Sequence, residues 1–475
     1  MRPLLEYLSS DEIHNIHQAS LEILERVGVK FEDIEAQKIL KNVGIDVDSN
    51  GIARFDPDIV EEYVKKAPST VVLKARESKQ DVYLRNDRVV FSSGTGLYIV
   101  EGKNARKSTN KDCMNWARLT DAIKNVDFSC ELHSTDVPLE LSDRYNFRAM
   151  AINTTKPFFG SSLSKEGVLD EIEMAAVIAG GKEELRKRSQ WSFGYAAISP
   201  LIWSENACVV FRETAPYDIP ALVEGESVIG GTSSVTLAST LAQTNAEALS
   251  GIVYNQILKK GRPCIFNIGF SHPMDMKTSL ALHGNVVAGI VGAAGAQMSR
   301  FYGLPSATWM ATDSKLSDAQ CGYEKGLTGI IPALARTNII WGMGQAEFTF
   351  AVDFEKLIID DEIVTQIKRA LNGVEVTEET LCLEAIERVG VGGSFLTPKA
   401  RDTFKFISEE TTELTVGDRN TREKWLKSGG KDMAENARER AKEILASYEP
   451  EPLDKDIIKN LDEIIEKARK KLEKK

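Results

Sequence analysis

The chain has 475 residues, with 59 Lys and Arg against 70 Asp and Glu, and a formal net charge of −11. That acidic balance excludes a general binder of nucleic acid or anionic membrane, since both want a basic footprint. A hydrophobic fraction of 42% excludes global disorder. A count of about 150 residues per domain would give about three domains, but α/β barrels run well past about 200 residues as one unit.

The amino terminus is polar by residue 6 and has no basic start followed by an apolar run, so no signal peptide is expected. Ser9 or Ser10 can cap a first helix whose apolar positions Ile13, Ile16, Leu21, Ile23, Leu24 and Val27 follow a helical period, and Gly28 ends it. Helices are expected at 34–43 and 57–66. His14 and His17 read as a solvated helix face, because no third metal ligand is near. The runs VVLKAR, DVYLRN, RVVFSSG and LYIVEG, separated by polar turns, read as hairpin strands.

From about residue 108 the rhythm becomes strand, loop, helix at about 30-residue spacing, the length of a βαβ unit. Strands are expected at 126–132, 157–162, 190–196, 219–226, 263–269, 306–312 and 339–344, with a weaker eighth within EFTFAVDF (347–354). Helices are expected between them, at 142–153, 165–179, 203–215, 237–260, 276–298 and 317–335. The strands read as buried on both faces, as in a parallel sheet. The fold expected is an α/β, TIM (β/α)8 barrel over 108–416, with a helical and β-hairpin segment over 1–107 packed on it. A charged helical extension covers 417–475. A doubly wound sheet is the weaker reading, because no strand is followed by GxGxxG or GxxxxGK[ST].

The six cysteines are far apart with no CxxC and read as free thiols in a reducing cytoplasm. No stretch holds 18 uninterrupted apolar residues, so no membrane span is expected, and with the acidic balance neither membrane nor nucleic acid is an expected partner. A homo-oligomer is expected for a barrel of this size.

A barrel carries its chemistry at the carboxyl ends of its strands. That rule selects Glu131 and His133, Ser161 and Ser162, Tyr195 and Ser199, Glu224 and Glu226, Asn267 and Phe270, Thr312 and Asp313, and Gln345, Glu347 and Phe348. Tyr98, beside the loop SSGTG, joins them from the hairpin segment. The set is rich in carboxylates, amides and aromatics and poor in Lys and Arg, with Lys315 the nearest. It therefore disfavours a phosphorylated substrate and favours a cation. A quaternary ammonium neither donates nor accepts hydrogen bonds and is held by aromatic faces and diffuse negative potential. Tyr98, Tyr195, Phe270, Trp309, Trp341 and Phe348 can supply faces, with Trp309 and Trp341 ranked lowest because buried strands hide their parity. Glu131 with Glu224 allows a rival, the carboxylate pair of a glycosidase.

At LEILERVGVKFEDIEA, FSSGTG, RFYGLPSATWMATDSKLSDAQCGYEKG, GGSFLTPKARDTFKF, DRNTREKW and YEPEPLD, the chain resembles the trimethylamine methyltransferase superfamily over nearly its full length. In the segment after FL, where the family is often histidine-rich, this chain has TPKA. The resemblance implies a TIM barrel and transfer of a methyl group to a corrinoid carried by a separate protein. No tightly bound cofactor or metal is expected in this chain, which has no DxHxxG-type cobalamin motif. Founding members carry pyrrolysine and act on trimethylamine. This chain contains only the twenty common residues and resembles the non-pyrrolysine branch, whose substrates are quaternary amines. Glycine betaine, giving dimethylglycine, is the first expectation; proline betaine, carnitine or another betaine is the alternative. A non-catalytic quaternary-amine binder is the alternative of another class. On this reading Tyr98, His133, Tyr195, Glu224, Asn267, Phe270, Gln345 and Phe348 are the substrate-binding candidates. Asp313, in TDSKLSDAQ, is the catalytic candidate, either opposing the cation or orienting a neighbour; capping a helix near 317 is its structural alternative.

Overall fold

The computed structural model describes residues 4–85 and 87–474. Met1–Pro3, Asn86 at the end of the DVYLRN run, and Lys475 lie outside the described residues. The chain folds in the α/β class. Its centre is a ladder of eight strands, labelled β1 (Val90–Ser93), β2 (Ser129–Cys130), β3 (Phe158–Gly160), β4 (Trp191–Ile198), β5 (Ala221–Glu226), β6 (Cys264–Gly269), β7 (Ser306–Trp309) and β8 (Ile339–Met343). Neighbours pair in parallel in the order β2, β3, β4, β5, β6, β7, β8, β1. Ser92 in β1 also makes a parallel bridge to Phe128, just before β2.

Parallel strands need long crossovers, and here helices supply them. They span Asn110–Ala122, Ser142–Asn153, Lys165–Ala179, Glu205–Thr214, Leu237–Leu258, Val286–Tyr302, Ala319–Leu334 and Phe354–Asn372. Small residues let these helices lie close to the sheet. A Cβ at Gly292 would stand 2.6 Å from Thr308 Oγ1, and one at Gly251 would stand 2.6 Å from Val223 Cγ1.

Side chains on the other, inner face form their own cluster. Val90, Phe128, Phe159, Leu222, Ile265, Ala307, Ile339 and Trp341 belong to it, so seven of the eight strand segments contribute. Its amino end is plugged by an antiparallel hairpin, Val71–Leu73 against Val82–Leu84, whose Val71, Leu73, Val82 and Leu84 join the same cluster.

The eighth parallel strand is β1, not a segment of EFTFAVDF. Within 347–354 only Ala351–Val352 is extended, and it pairs with Gln345–Ala346 and with Tyr98–Glu101 in a separate small sheet. RVVFSSG looks like its hairpin neighbours locally, and only its pairing with β8, distant in sequence, assigns it to the ladder. The helix expected from 276 begins at Val286, capped by the Asn285 side chain, so residues 270–285 form a long loop over the carboxyl edge. His17 is not on a solvated face. It is buried, with Nδ1 3.0 Å from the Tyr302 hydroxyl. The first helix does begin at a Ser9 capping box. All six cysteines are free thiols. No helix among the described residues is long and apolar enough to cross a membrane.

Candidate active site

Ligands of parallel α/β sheets bind outside the carboxyl ends of the strands. On the inner face, at that edge, sits a compact aromatic group. The indoles of Trp309 and Trp341 stack at 5.6 Å and 22°. Phe128 and Phe159 meet Trp341 edge-on at 4.9 and 4.6 Å, and Phe270 lies 4.6 Å from Trp309. The indole N–H groups of both tryptophans are buried without a partner. Trp309 and Trp341, ranked last from sequence, therefore form the heart of the group. The signal lay in the alternation: Ala307 and Trp309 share one face of β7, while Thr308 between them faces the glycine of the covering helix.

Glu224 also faces inward, its Oε1 near the open position at Gly194, where a Cβ would stand 3.1 Å away. Asn267 Nδ2 donates to Glu224 Oε2 at 2.7 Å, and Asn267 Oδ1 accepts from Gly269 N at 2.8 Å. Glu224 keeps some surface open at the edge, yet the surrounding walls remove enough water to raise its carboxyl to about 7 against the Asn267 hydrogen bond. Burial, with the nearby Glu224 charge, raises Glu226 to about 8.

Glu131 points elsewhere. Its Oε1 accepts from the Ser161 N–H and hydroxyl, both at 2.8 Å, while Oε2 has no partner. A Cβ at Gly160 would lie 2.9 Å from Glu131 Oε2 and 3.2 Å from Trp191 Nε1, and Trp191 belongs to the helix-covered core. Burial lifts its carboxyl to about 8. Glu131 and Glu224 thus occupy opposite faces of the sheet, and the glycosidase pairing loses its geometry.

The other candidates divide. Phe270 is in the aromatic group. Gln345 is buried, but its amide donates to the Thr95 and Thr349 carbonyls at 2.9 and 3.2 Å, which leaves only Oε1 unpaired. Asn267 gives one amide N–H to Glu224 and keeps its second, whereas both amide N–H groups of Gln345 are engaged within the protein. Tyr195 lies on the helix-covered face with Phe193 and Phe211 at 6.0 Å, its hydroxyl donating to the Ser162 carbonyl at 2.5 Å. The structure does not bring it to the group. His133 stands beside Glu131, Nδ1 to Oε1 3.9 Å, and desolvation lowers its pKa. Tyr98 is exposed on the small rim sheet. Phe348 carries Lys315 Nζ at 4.1 Å over its ring and stands 6.3 Å from His283.

Asp313 is 8% exposed and raised to about 6, chiefly by burial. Its Oδ1 accepts from His283 N at 2.9 Å, so it anchors the 270–285 loop. It does not cap the next helix; Asp318 does, accepting from Cys321 N. Beside it opens a cleft of about 610 Å³ lined by Leu280, Asp313, Lys315, Tyr323, Glu324 and Phe348. Sequence reasoning also missed His272, a buried imidazole on that loop with neither nitrogen paired. Among the described residues no group of three or more His, Cys, Asp or Glu is placed to hold a metal ion.

A family model described as trimethylamine methyltransferase (MTTB) matches residues 1–473. A trimethylamine methyltransferase MttB of Desulfitobacterium hafniense is 35% identical over 468 residues, covering 97% of this chain and 93% of that protein. A second, from Methanosarcina barkeri, is 33% identical over 98% of this chain and 96% of its own. A glycine betaine methyltransferase of D. hafniense is 30% identical over 99% and 98%. The crystal structure of the M. barkeri monomethylamine methyltransferase (MtmB) shares the fold at a TM-score of 0.52 and 12% identity, over 92% of this chain and 89% of that one. The chain belongs to the trimethylamine methyltransferase (MTTB) family and is a methyltransferase.

Proposed function

We propose that the protein takes a methyl group from a quaternary amine, glycine betaine first, and passes it to the Co(I) corrinoid of a separate protein, leaving dimethylglycine. The observation that carries this is the aromatic group at the carboxyl edge, with Glu224 set among the same walls. Stacked indoles and edge-on phenyls offer faces that suit a permanent cation. The names of the relatives divide between trimethylamine and glycine betaine, and leaving-group chemistry separates the two. The C–N bond breaks with its electron pair going to nitrogen, so a quaternary ammonium leaves as a neutral tertiary amine. Trimethylamine would leave as an amide ion unless first protonated. A site with no added activating residue suits the quaternary substrate.

We further propose that the eight parallel strands close as a (β/α)8 barrel within 108–416, with β1 lent by the 1–107 segment and with 417–475 as a helical extension. The Ser92–Phe128 bridge and the single inner cluster support closure. On this reading the amino end is stoppered by its hairpin and substrate enters from the carboxyl edge. The residues then orient the amine, exclude water, and leave one methyl facing outward. Positive charge leaves the nitrogen as the methyl moves. An ionised carboxylate touching it would stabilise the ground state more than the transition state. Glu224, poised near 7 and tied to Asn267, supplies a softer field. Asp313 acts as a positioning residue through the 270–285 loop.

The corrinoid supplies the nucleophile when it is presented. Side chains already fill the inner face below the aromatics, so such a group fits only from outside. The rim suits a protein that brings it. Each strand end or following loop exposes a large apolar side chain: Leu97, Leu139, Leu163, Ile198, Val235, Met276, Leu316 and Phe350. Among the described residues, the loops entering β2 to β8 expose none. Such a one-sided apolar ring fits a docking partner. The test is incubation with glycine betaine, proline betaine, carnitine or trimethylamine and cob(I)alamin as acceptor. Dimethylglycine formed from glycine betaine is expected. Turnover of trimethylamine alone would overturn the leaving-group argument, and binding without turnover would favour the non-catalytic alternative.

A further inference from the structure

We propose that His272 donates a hydrogen bond to a carboxylate on the substrate, so that the site selects zwitterionic methylated amines over simple alkylammonium ions. This rests on the quaternary-amine reading and names the group that reads the substrate's other end.

His272 is 2% exposed, and neither ring nitrogen has a partner. A buried polar group left unpaired is costly and rare, and it calls for an occupant that completes it. The ring is held on two sides, by the His283 ring at 4.0 Å and by Phe270, edge-on, at 4.3 Å. His283 is already committed. Its Nδ1 donates to the Ala281 carbonyl at 3.1 Å, and its backbone N–H donates to Asp313. His272 is therefore the free donor of the pair.

Its position relative to the aromatics fixes what it can read. Phe270 touches both His272, at 4.3 Å, and Trp309, at 4.6 Å. The imidazole and the indole are thus no more than about 9 Å apart. A cation about 4–6 Å from the indole centre and a hydrogen bond of about 2.9 Å to the imidazole fit within that span across a short spacer. A betaine has this layout, with ammonium and carboxylate one or a few carbons apart. Trimethylamine and tetramethylammonium have no group to complete His272. Of the other polar candidates, Gln345 donates both amide hydrogens within the protein and His133 stands beside Glu131, while Asn267 holds Glu224 with one of its two.

Desolvation, with His283 beside it, keeps the imidazole neutral near pH 7. A neutral N–H held by a rigid ring stack gives orientation without a charge that would have to be compensated when the site is empty. Its bond to the carboxylate persists through methyl transfer, so it acts on binding and not on the chemical step.

The test measures binding by quenching of tryptophan fluorescence, with glycine betaine and tetramethylammonium as separate probes, in the wild type, His272→Leu and His272→Asn. The wild type should bind glycine betaine at least about tenfold more tightly than tetramethylammonium. His272→Leu should lose that preference and bind tetramethylammonium as before, and His272→Asn, which keeps an N–H donor, should recover part of it. Equal loss of both ligands in His272→Leu, with His272→Asn no better, would make the residue structural and overturn the proposal. A wild type that prefers tetramethylammonium would overturn the carboxylate claim alone. A wild type that binds neither would overturn it together with the quaternary-amine reading.

Discussion

The two ends of the inner face are built from opposite materials. At the amino end the hairpin side chains Val71, Leu73, Val82 and Leu84 meet Val90, Ile265 and Ile339 in a dry aliphatic plug. At the carboxyl end the ladder carries Glu224, Asn267 and two tryptophans, and the 270–285 loop adds His272; the indole N–H groups and the imidazole there lack partners. The contrast teaches that stability and chemistry are separated along one set of strands. Unsatisfied polar groups are tolerated at one end because packing is complete at the other.

The largest way to break that contrast is to damage the plug. Leu73→Ala should cost about 2–5 kcal/mol of stability by leaving a cavity. Urea unfolding should show the loss, while kcat/KM of the folded fraction stays at the wild-type value.

At the other end, Trp341→Leu keeps the volume apolar but removes a face for the cation. A fall of about 30-fold in kcat/KM for glycine betaine is expected in the folded protein, equivalent to about 2 kcal/mol of desolvated cation–π interaction, together with a lower thermal midpoint because Trp341 is buried in the inner cluster.

Glu224 sharpens the comparison through pH. Its carboxyl sits at about 7 in the fold, so it gains charge as pH rises from 6 to 8. KM for the cation should fall several-fold over that interval and kcat should fall with it, because the added charge favours the ground state. Glu224→Gln should flatten both profiles. Stability should move the same way. Glu131, Glu224 and Glu226 hold protons in the fold at about 8, 7 and 8 that an unfolded chain gives up near 4.5. The folded state therefore binds more protons between these values, and the thermal midpoint should be lower at pH 8 than at pH 6.

The smallest effect belongs to the rim. Phe350→Ser should raise KM for the corrinoid protein about threefold by removing one exposed apolar contact, and leave KM for the amine unchanged.

Much of the ladder was legible because each strand–helix unit repeats at a steady spacing: six strands fall within their expected windows, and Trp191–Ile198 overruns its window by two residues. The eighth was hidden because Val90–Ser93 has the same length and turn flanks as true hairpin strands, and long-range pairing decided its place. In the candidate site, the strand-end rule pointed to Glu224, Asn267 and Phe270, which the structure places at the carboxyl edge with the aromatic group. Tyr195 misled because Trp191, Phe193 and Tyr195 form the large half of an alternation whose small half, Ser192 and Gly194, faces inward. Trp309 and Trp341 stand on the opposite parity from the residues that meet the helices; the alternation in β7 separates the two faces, but which of them turns inward is decided by packing on the helices. His272 escaped because a helix was expected from 276, close behind it. Pro273 and the Asn285 cap instead place it on a loop.

The most direct measurement is a crystal structure of the protein with glycine betaine bound. The ammonium should lie against Trp309, Trp341 and Phe270, with its carboxylate turned toward His272 and with Glu224 outside ion-pair contact. A betaine whose nitrogen rests on the Glu224 carboxylate as its main contact, or one bound away from this aromatic group, would contradict the assignment.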